Sequence, residues 1–95
     1  MTKIQIPEKN SVSYHWIKKQ LEIMVINHRG KVYVARSMCP HMGARLVFNP
    51  NKQVLECPWH GLTFDLETLR SANQRFRMLP KLSFSLDGPF IKIDT

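Results

Sequence analysis

Only two cysteines occur in this 95-residue chain, and each has a histidine close behind it. The first group is Cys39-Pro40-His41 and the second Cys57-Pro58-Trp59-His60, with fifteen residues between His41 and Cys57. Thiolate with imidazole suits zinc, copper and iron–sulfur centres, so ligand type alone leaves the metal open. Order decides more. Common zinc fingers place two cysteines first and two histidines last, usually with a helix carrying the histidines. Here the order is Cys, His, Cys, His, with one pair on each of two separate loops. A 2Fe–2S centre with unequal irons would use that order, two thiolates on one iron and two imidazoles on the other. Neutral imidazoles in place of thiolates make such a centre less negative and raise its reduction potential above the all-cysteine type. A disulfide between Cys39 and Cys57 is the weaker reading, because cytosolic thiols are kept reduced and each cysteine sits beside a histidine.

The neighbours extend the pattern to Cys39-Pro40-His41-Met42-Gly43-Ala44 and Cys57-Pro58-Trp59-His60-Gly61-Leu62-Thr63-Phe64. In this paired form the chain resembles the Rieske iron–sulfur proteins, at least from about Leu21 to Ile93. The resemblance implies one Rieske-type 2Fe–2S cluster, with Cys39 and Cys57 on the inner iron and His41 and His60 on the outer one. It also implies imidazole edges near the surface. The branch found in respiratory and photosynthetic cytochrome complexes carries an extra, disulfide-forming cysteine in each loop, and here those positions hold Ala44 and Trp59. The same branch has serine and tyrosine hydroxyls donating to the cluster region, where this chain has Leu62 and Phe64. Fewer donors stabilise the reduced state less, which places the expected potential at the lower end of the Rieske range, around −150 mV. The chain thus looks like the soluble ferredoxin or oxygenase-associated branch.

The flanks have a physical reading of their own. Gly43 and Gly61 fall where the backbone must turn tightly, and glycine takes positive φ without steric cost. Amide groups in such loops can stabilise negative charge. Pro40 and Pro58 restrict the backbone directly behind each cysteine. Met42, Leu46, Trp59 and Phe64 are candidates to shield the centre from water. For Leu46 and Phe64 plain core packing serves equally well, and Trp59 belongs at the rim.

These two loops need a scaffold, and the rest of the chain reads as short strands and turns. Tyr14 to Ile17 and Leu21 to Asn27 are apolar-rich and strand-length, and Asn27-His28-Arg29-Gly30 turns the chain into the alternating Lys31 to Ala35. Leu46 to Phe48 and Gln53 to Glu56 flank Asn49-Pro50-Asn51-Lys52, a hairpin separating the ligand loops. Thr63 to Leu66 follows the second loop. Leu82 to Leu86 alternates cleanly, Asp87-Gly88 turns it, and Phe90 to Ile93 returns. Helix evidence is confined to a single turn over Glu67 to Ala72, and no internal repeat is apparent. The expected fold is all-β, a Rieske-like antiparallel sandwich or barrel with a small cluster-binding subdomain made of two loops. One domain is expected over 1–95, with scaffold strands at 1–36 and 66–95 and the cluster-binding part at about 37–65.

Composition sets the remaining bounds. Hydrophobic content of 43% with 22% charged residues is ordinary globular usage. The longest clean apolar run, Ile23 to Ile26, is far short of a membrane span, and no secretory or twin-arginine signal is visible, so the expected location is the cytoplasm. Fourteen basic against seven acidic residues give +7, spread without a basic run. That fits a docking field for an acidic surface, with Arg36 and Arg45 near the first loop as candidates, better than a nucleic-acid stripe. With His41 and His60 committed, only His15 and His28 remain. His28 is expected as a solvated turn residue and His15 on a sheet surface, so no mononuclear iron site can be built, and no nucleotide-binding glycine motif occurs. The expected role is a one-electron carrier between a reductase and a Rieske-type oxygenase or similar redox enzyme, and not itself an enzyme. The alternatives are a small electron-transfer subunit of a larger reductase such as a nitrite reductase, and a structural zinc module. The outer nitrogen of an iron-bound imidazole keeps a proton that reduction should hold more tightly, so the potential should fall with alkaline pH.

Overall fold

A computed structural model of the chain describes residues 2–19, 21–39, 44–59, 61–71, 79–80 and 82–93. Within them lie nine strands: β1 (Thr2–Gln5), β2 (Ser11–Lys18), β3 (Leu21–His28), β4 (Lys31–Arg36), β5 (Val47–Asn49), β6 (Val54–Glu56), β7 (Thr63–Asp65), β8 (Phe84–Asp87) and β9 (Phe90–Ile93). No helix occurs among the described residues. The strands form three antiparallel sheets of three, in the orders β1-β9-β8, β2-β3-β4 and β5-β6-β7.

β3 is the wall on which the fold is built. Its residues Ile23, Met24, Val25 and Ile26 are all fully buried, which explains why it reads as a continuous apolar run rather than an alternating one. Successive side chains point to opposite faces. Met24 and Ile26 therefore join one core with Cys39, Leu46, Leu55, Cys57 and Phe64, while Ile23 and Val25 join a second with Ile4, Val34, Ile91 and Ile93. The first core contains both cysteines. The second is closed by the β1-β9-β8 sheet.

The turns follow local chemistry. Arg29 (φ 52) and Gly30 (φ 79) both take left-handed backbone, as a two-residue type I′ hairpin requires. Residues paired across it are His28 and Lys31. Asn49 Oδ1 accepts from the amides of Asn51 (3.1 Å) and Lys52 (3.2 Å), an Asx arrangement that shapes the β5–β6 loop.

Five sequence expectations need correction. β1 was not foreseen; it is short, and its register against β9 supplies the hydrogen bonds that its four residues cannot make alone. β2 runs well past Tyr14–Ile17, with a register irregularity between Trp16 and Lys18. β8, an edge strand, does not bury an alternating face: Phe84 and Leu86 lie opposite Ile93 and Ile91, yet they are 36% and 64% exposed. His28 is not a solvated turn residue. It ends β3 at 6% exposure, its ring edge-on to Phe48 at 5.2 Å, and neither ring nitrogen has a hydrogen-bond partner among the described residues. The single turn expected over Glu67 to Ala72 appears as a non-helical turn at Leu66 to Thr68, and Ala72 lies outside the described residues.

Candidate metal centre

The two cysteines occupy equivalent places on two hairpins. In the first, the Leu46 amide donates to the Ser37 carbonyl (2.6 Å), Met38 bridges Arg45, and the Cys39 amide donates to the Ala44 carbonyl (2.7 Å). In the second, Leu55 pairs with Phe64, Glu56 with Thr63, and the Cys57 amide donates to the Leu62 carbonyl (2.8 Å). Each ladder ends on a cysteine, and each cysteine opens a four-residue excursion, 40–43 and 58–61. Cys39-Pro-x-x-Gly43-Ala44 therefore matches Cys57-Pro-x-x-Gly61-Leu62 at a constant offset, with the histidine second in one excursion and third in the other. That is a local internal repeat, contrary to the sequence expectation. Its signal was present in the shared Cys-Pro-x-x-Gly spacing, but the shifted histidines hide it.

Both thiols are free and buried, at 2% and 1% exposure, within the same core cluster. Gly61 has φ +65, and its amide donates to the Cys57 carbonyl (3.1 Å). The left-handed turn expected there is present. Pro40, His41, Met42, Gly43 and His60 lie outside the described residues, so two of the four expected ligands have no described position. Among the described residues no group of three or more His, Cys, Asp or Glu side chains gathers as a metal site. Two free, buried thiols at matching hairpin ends are nevertheless the donor pair that one iron of a mixed Cys/His cluster needs, so these two residues fit the cofactor. Leu46 and Phe64 are fully buried in the same core cluster as the two cysteines, whereas Trp59 is 65% exposed.

A polar staple, not visible in the sequence, fastens the first hairpin to β3. The Glu22 carboxylate, 5% exposed, accepts from Ser37 Oγ (2.6 Å), Arg45 Nε (3.1 Å) and an Arg45 terminal nitrogen (2.6 Å). The Ser37 amide donates to the Glu22 carbonyl (3.0 Å). Arg45 also lies 4.8 Å over the Tyr14 ring, whose hydroxyl donates to the Leu46 carbonyl (2.8 Å). Burial alone pushes the Glu22 carboxyl up, but the hydrogen bonds from Ser37 and Arg45, with the charge of Arg45, outweigh it and leave the group below its ordinary value. The Arg45 charge is thus paired to a buried carboxylate although its side chain stays half exposed, while Arg36 has no such pairing among the described residues. Of the remaining histidines, His15 is half-buried on β2, with Nε2 2.7 Å from Ser13 Oγ.

Comparison with known proteins adds the family. A family model described as the Rieske [2Fe-2S] domain matches residues 2–81. No curated protein sequence matches the chain significantly. Among solved structures, the chain is similar to the ferredoxin of carbazole 1,9a-dioxygenase from Nocardioides aromaticivorans IC177. The TM-score is 0.73 at 20% identity, over 98% of this chain and 97% of that one. The Sphingomonas yanoikuyae B1 ferredoxin gives 0.73 at 21% identity, covering 99% of each chain. A chain in the complex of reduced oxygenase and oxidised ferredoxin of carbazole 1,9a-dioxygenase gives 0.80 at 16% identity, over 97% and 90%. At these identities the structural likeness establishes the all-β fold.

Proposed function

The chain belongs to the Rieske [2Fe-2S] domain family, and from that membership we propose that it is a one-electron carrier whose cluster is held by Cys39, His41, Cys57 and His60. A Rieske-type 2Fe–2S cluster is the family's cofactor and supplies a one-electron couple when bound. The observation that carries the ligand assignment is the pair of buried, unpaired thiols at the ends of two equivalent hairpins, each with a histidine in the excursion that follows.

The chain's own residues hold and insulate this centre. Leu46, Leu55, Leu62 and Phe64 keep water from the thiol side, and the Glu22–Arg45–Ser37 staple fixes the first hairpin against β3. Both cysteines are buried while Pro58, Trp59 and Gly61, which flank His60 in sequence, are exposed, which suits electron exit on the histidine side of the centre. The partners we infer are a reductase as donor and a Rieske-type oxygenase or similar redox enzyme as acceptor, supported by the similarity to ferredoxins of dioxygenase systems. The proposed setting is the cytoplasm. No helix among the described residues is long and apolar enough to cross a membrane.

Electron paramagnetic resonance of the dithionite-reduced protein tests the ligand set. Mixed Cys/His ligation gives a lower average g value than all-cysteine ligation, in a protein that is red-brown when oxidised. An all-cysteine signal, or a colourless zinc protein, overturns the assignment. In His41→Cys and His60→Cys variants the average g value should rise.

A further inference from the structure

Beside the first ligand hairpin, where β4 ends, lies an open groove of ≈ 590 Å³ lined by Lys18, Lys19, Leu21, Arg36, Pro80 and Leu82. Its size is that of a cleft able to take a few side chains of a partner. We propose that this groove is a docking site for an acidic segment of the redox partner, one carrying carboxylates around a single aromatic or aliphatic side chain. That the segment belongs to a redox partner rests on the carrier reading above; the binding itself does not.

The argument is one of charge left over after internal pairing. The chain carries 14 basic and 7 acidic residues. Lys3 and Lys92 share Asp87, Lys31 pairs with Glu67, and Arg45 pairs with Glu22. Glu56 accepts from Asn49 Nδ2 (2.8 Å), and Asp65 accepts from the amides of Glu67 (2.8 Å) and Thr68 (2.9 Å). Five of the six described carboxylates are therefore occupied elsewhere, and none of the six lines the groove. Lys18, Lys19 and Arg36 have neither an ion pair nor a side-chain hydrogen bond among the described residues. Three cations with no partner among the described residues line the groove together with Leu21, Leu82 and Pro80. Such a mixed lining is complementary to carboxylates flanking one apolar side chain, and like charges reject a basic segment. Arg36 stands three residues before Cys39 along the chain, so a segment held here sits beside the cluster-bearing hairpin.

The test uses a fluorescein-labelled, end-blocked peptide of sequence Glu-Asp-Phe-Glu-Asp and fluorescence anisotropy with the cluster-loaded protein. Binding should weaken about tenfold or more between roughly 50 and 300 mM salt. It should be lost in the triple variant Lys18→Glu, Lys19→Glu, Arg36→Glu, and weakened severalfold when the peptide's Phe is replaced by Gly. A control variant, Lys9→Glu, Lys52→Glu, Arg70→Glu, changes net charge equally at exposed sites outside the groove and should retain binding. No binding by the wild type, equal loss in both triple variants, or full binding by the groove variant overturns the proposal. Should the reversal variant fail to fold, the milder Lys18→Gln, Lys19→Gln, Arg36→Gln variant must show the same loss. The resonance spectrum of each protein is read separately. Peptide binding without the mixed-ligand signal sinks the carrier reading alone, and the signal without groove-dependent binding sinks the groove alone.

Discussion

At the scale of single residues, two buried polar groups on β3 behave oppositely because one is satisfied and the other is not. Glu22 has three close donors. Arg45→Ala removes two of them from a carboxylate that is 5% exposed. Breaking a buried pair costs about 3–5 kcal/mol; with the Arg45 side chain itself half exposed, about 2 kcal/mol is expected, read by urea unfolding. The pH dependence follows from the lowered carboxyl. A depressed value means the staple's contribution is complete above the unfolded-chain value of about 4.3 and fades as pH falls through the folded one. The stability gap between wild type and Glu22→Gln should be widest near neutrality and shrink below about pH 4. A gap independent of pH would show that the charge of Glu22 contributes nothing. His28 is the reverse case, with two buried ring nitrogens and no hydrogen-bond partner among the described residues. His28→Phe keeps the edge-on packing with Phe48 and deletes the unsatisfied atoms, so it should stabilise the fold by about 1 kcal/mol. Destabilisation instead would mean that the nitrogens do have partners in solution.

At the scale of elements, the amides of Cys39 and Cys57 close two matching short ladders, and in sequence each cysteine is followed by four residues that end in glycine. Only the second glycine lies among the described residues, and a Cβ there would meet nothing within 4 Å. Gly61→Ala thus suffers from left-handed backbone alone, about 1 kcal/mol. Gly30→Ala carries the same backbone penalty at φ +79, in the distant β3–β4 turn. Both variants should lose similar thermal stability, but only Gly61→Ala should release its cluster faster to a chelator. Equal release rates would show that the excursion's conformation does not secure the cofactor.

For the whole molecule, the cores divide labour across β3. One is capped by the β1-β9-β8 sheet, and the other carries Cys39 and Cys57 within it. Metal binding inside a small core is folding energy, so removing the cluster should lower the denaturation midpoint of the whole domain rather than melt the loops alone. Calorimetry of apo and cluster-loaded protein checks this, and identical midpoints would refute it. Leu62 and Phe64 are buried beside the cysteines and bring no hydroxyl. Voltammetry should accordingly give a potential near −150 mV. Phe64→Tyr should raise it by about 60 mV if the new hydroxyl donates to the cluster's reduced form with ~1.4 kcal/mol of differential stabilisation.

Much of this was legible in the residues themselves. Ligand type, order and spacing depend on neighbours a few positions apart, so Cys39-x-His41 and Cys57-x-x-His60 were enough to point to the Rieske family that the family match shows, and turn chemistry at Arg29-Gly30 placed a hairpin. Alternation and apolar runs, which are local too, gave an all-β chain. Tertiary structure alone decided what depends on partners distant in sequence. β1 exists because β9 pairs with it, and Glu22 finds Arg45 and Ser37 only after β3 is folded against the first hairpin. His28 is buried because Phe48 comes to lie over it, and Lys18, Lys19 and Arg36 share one groove only because three strand ends meet there. Short-range spacing sets which groups can do the chemistry; long-range packing sets which of them are buried, paired or left free.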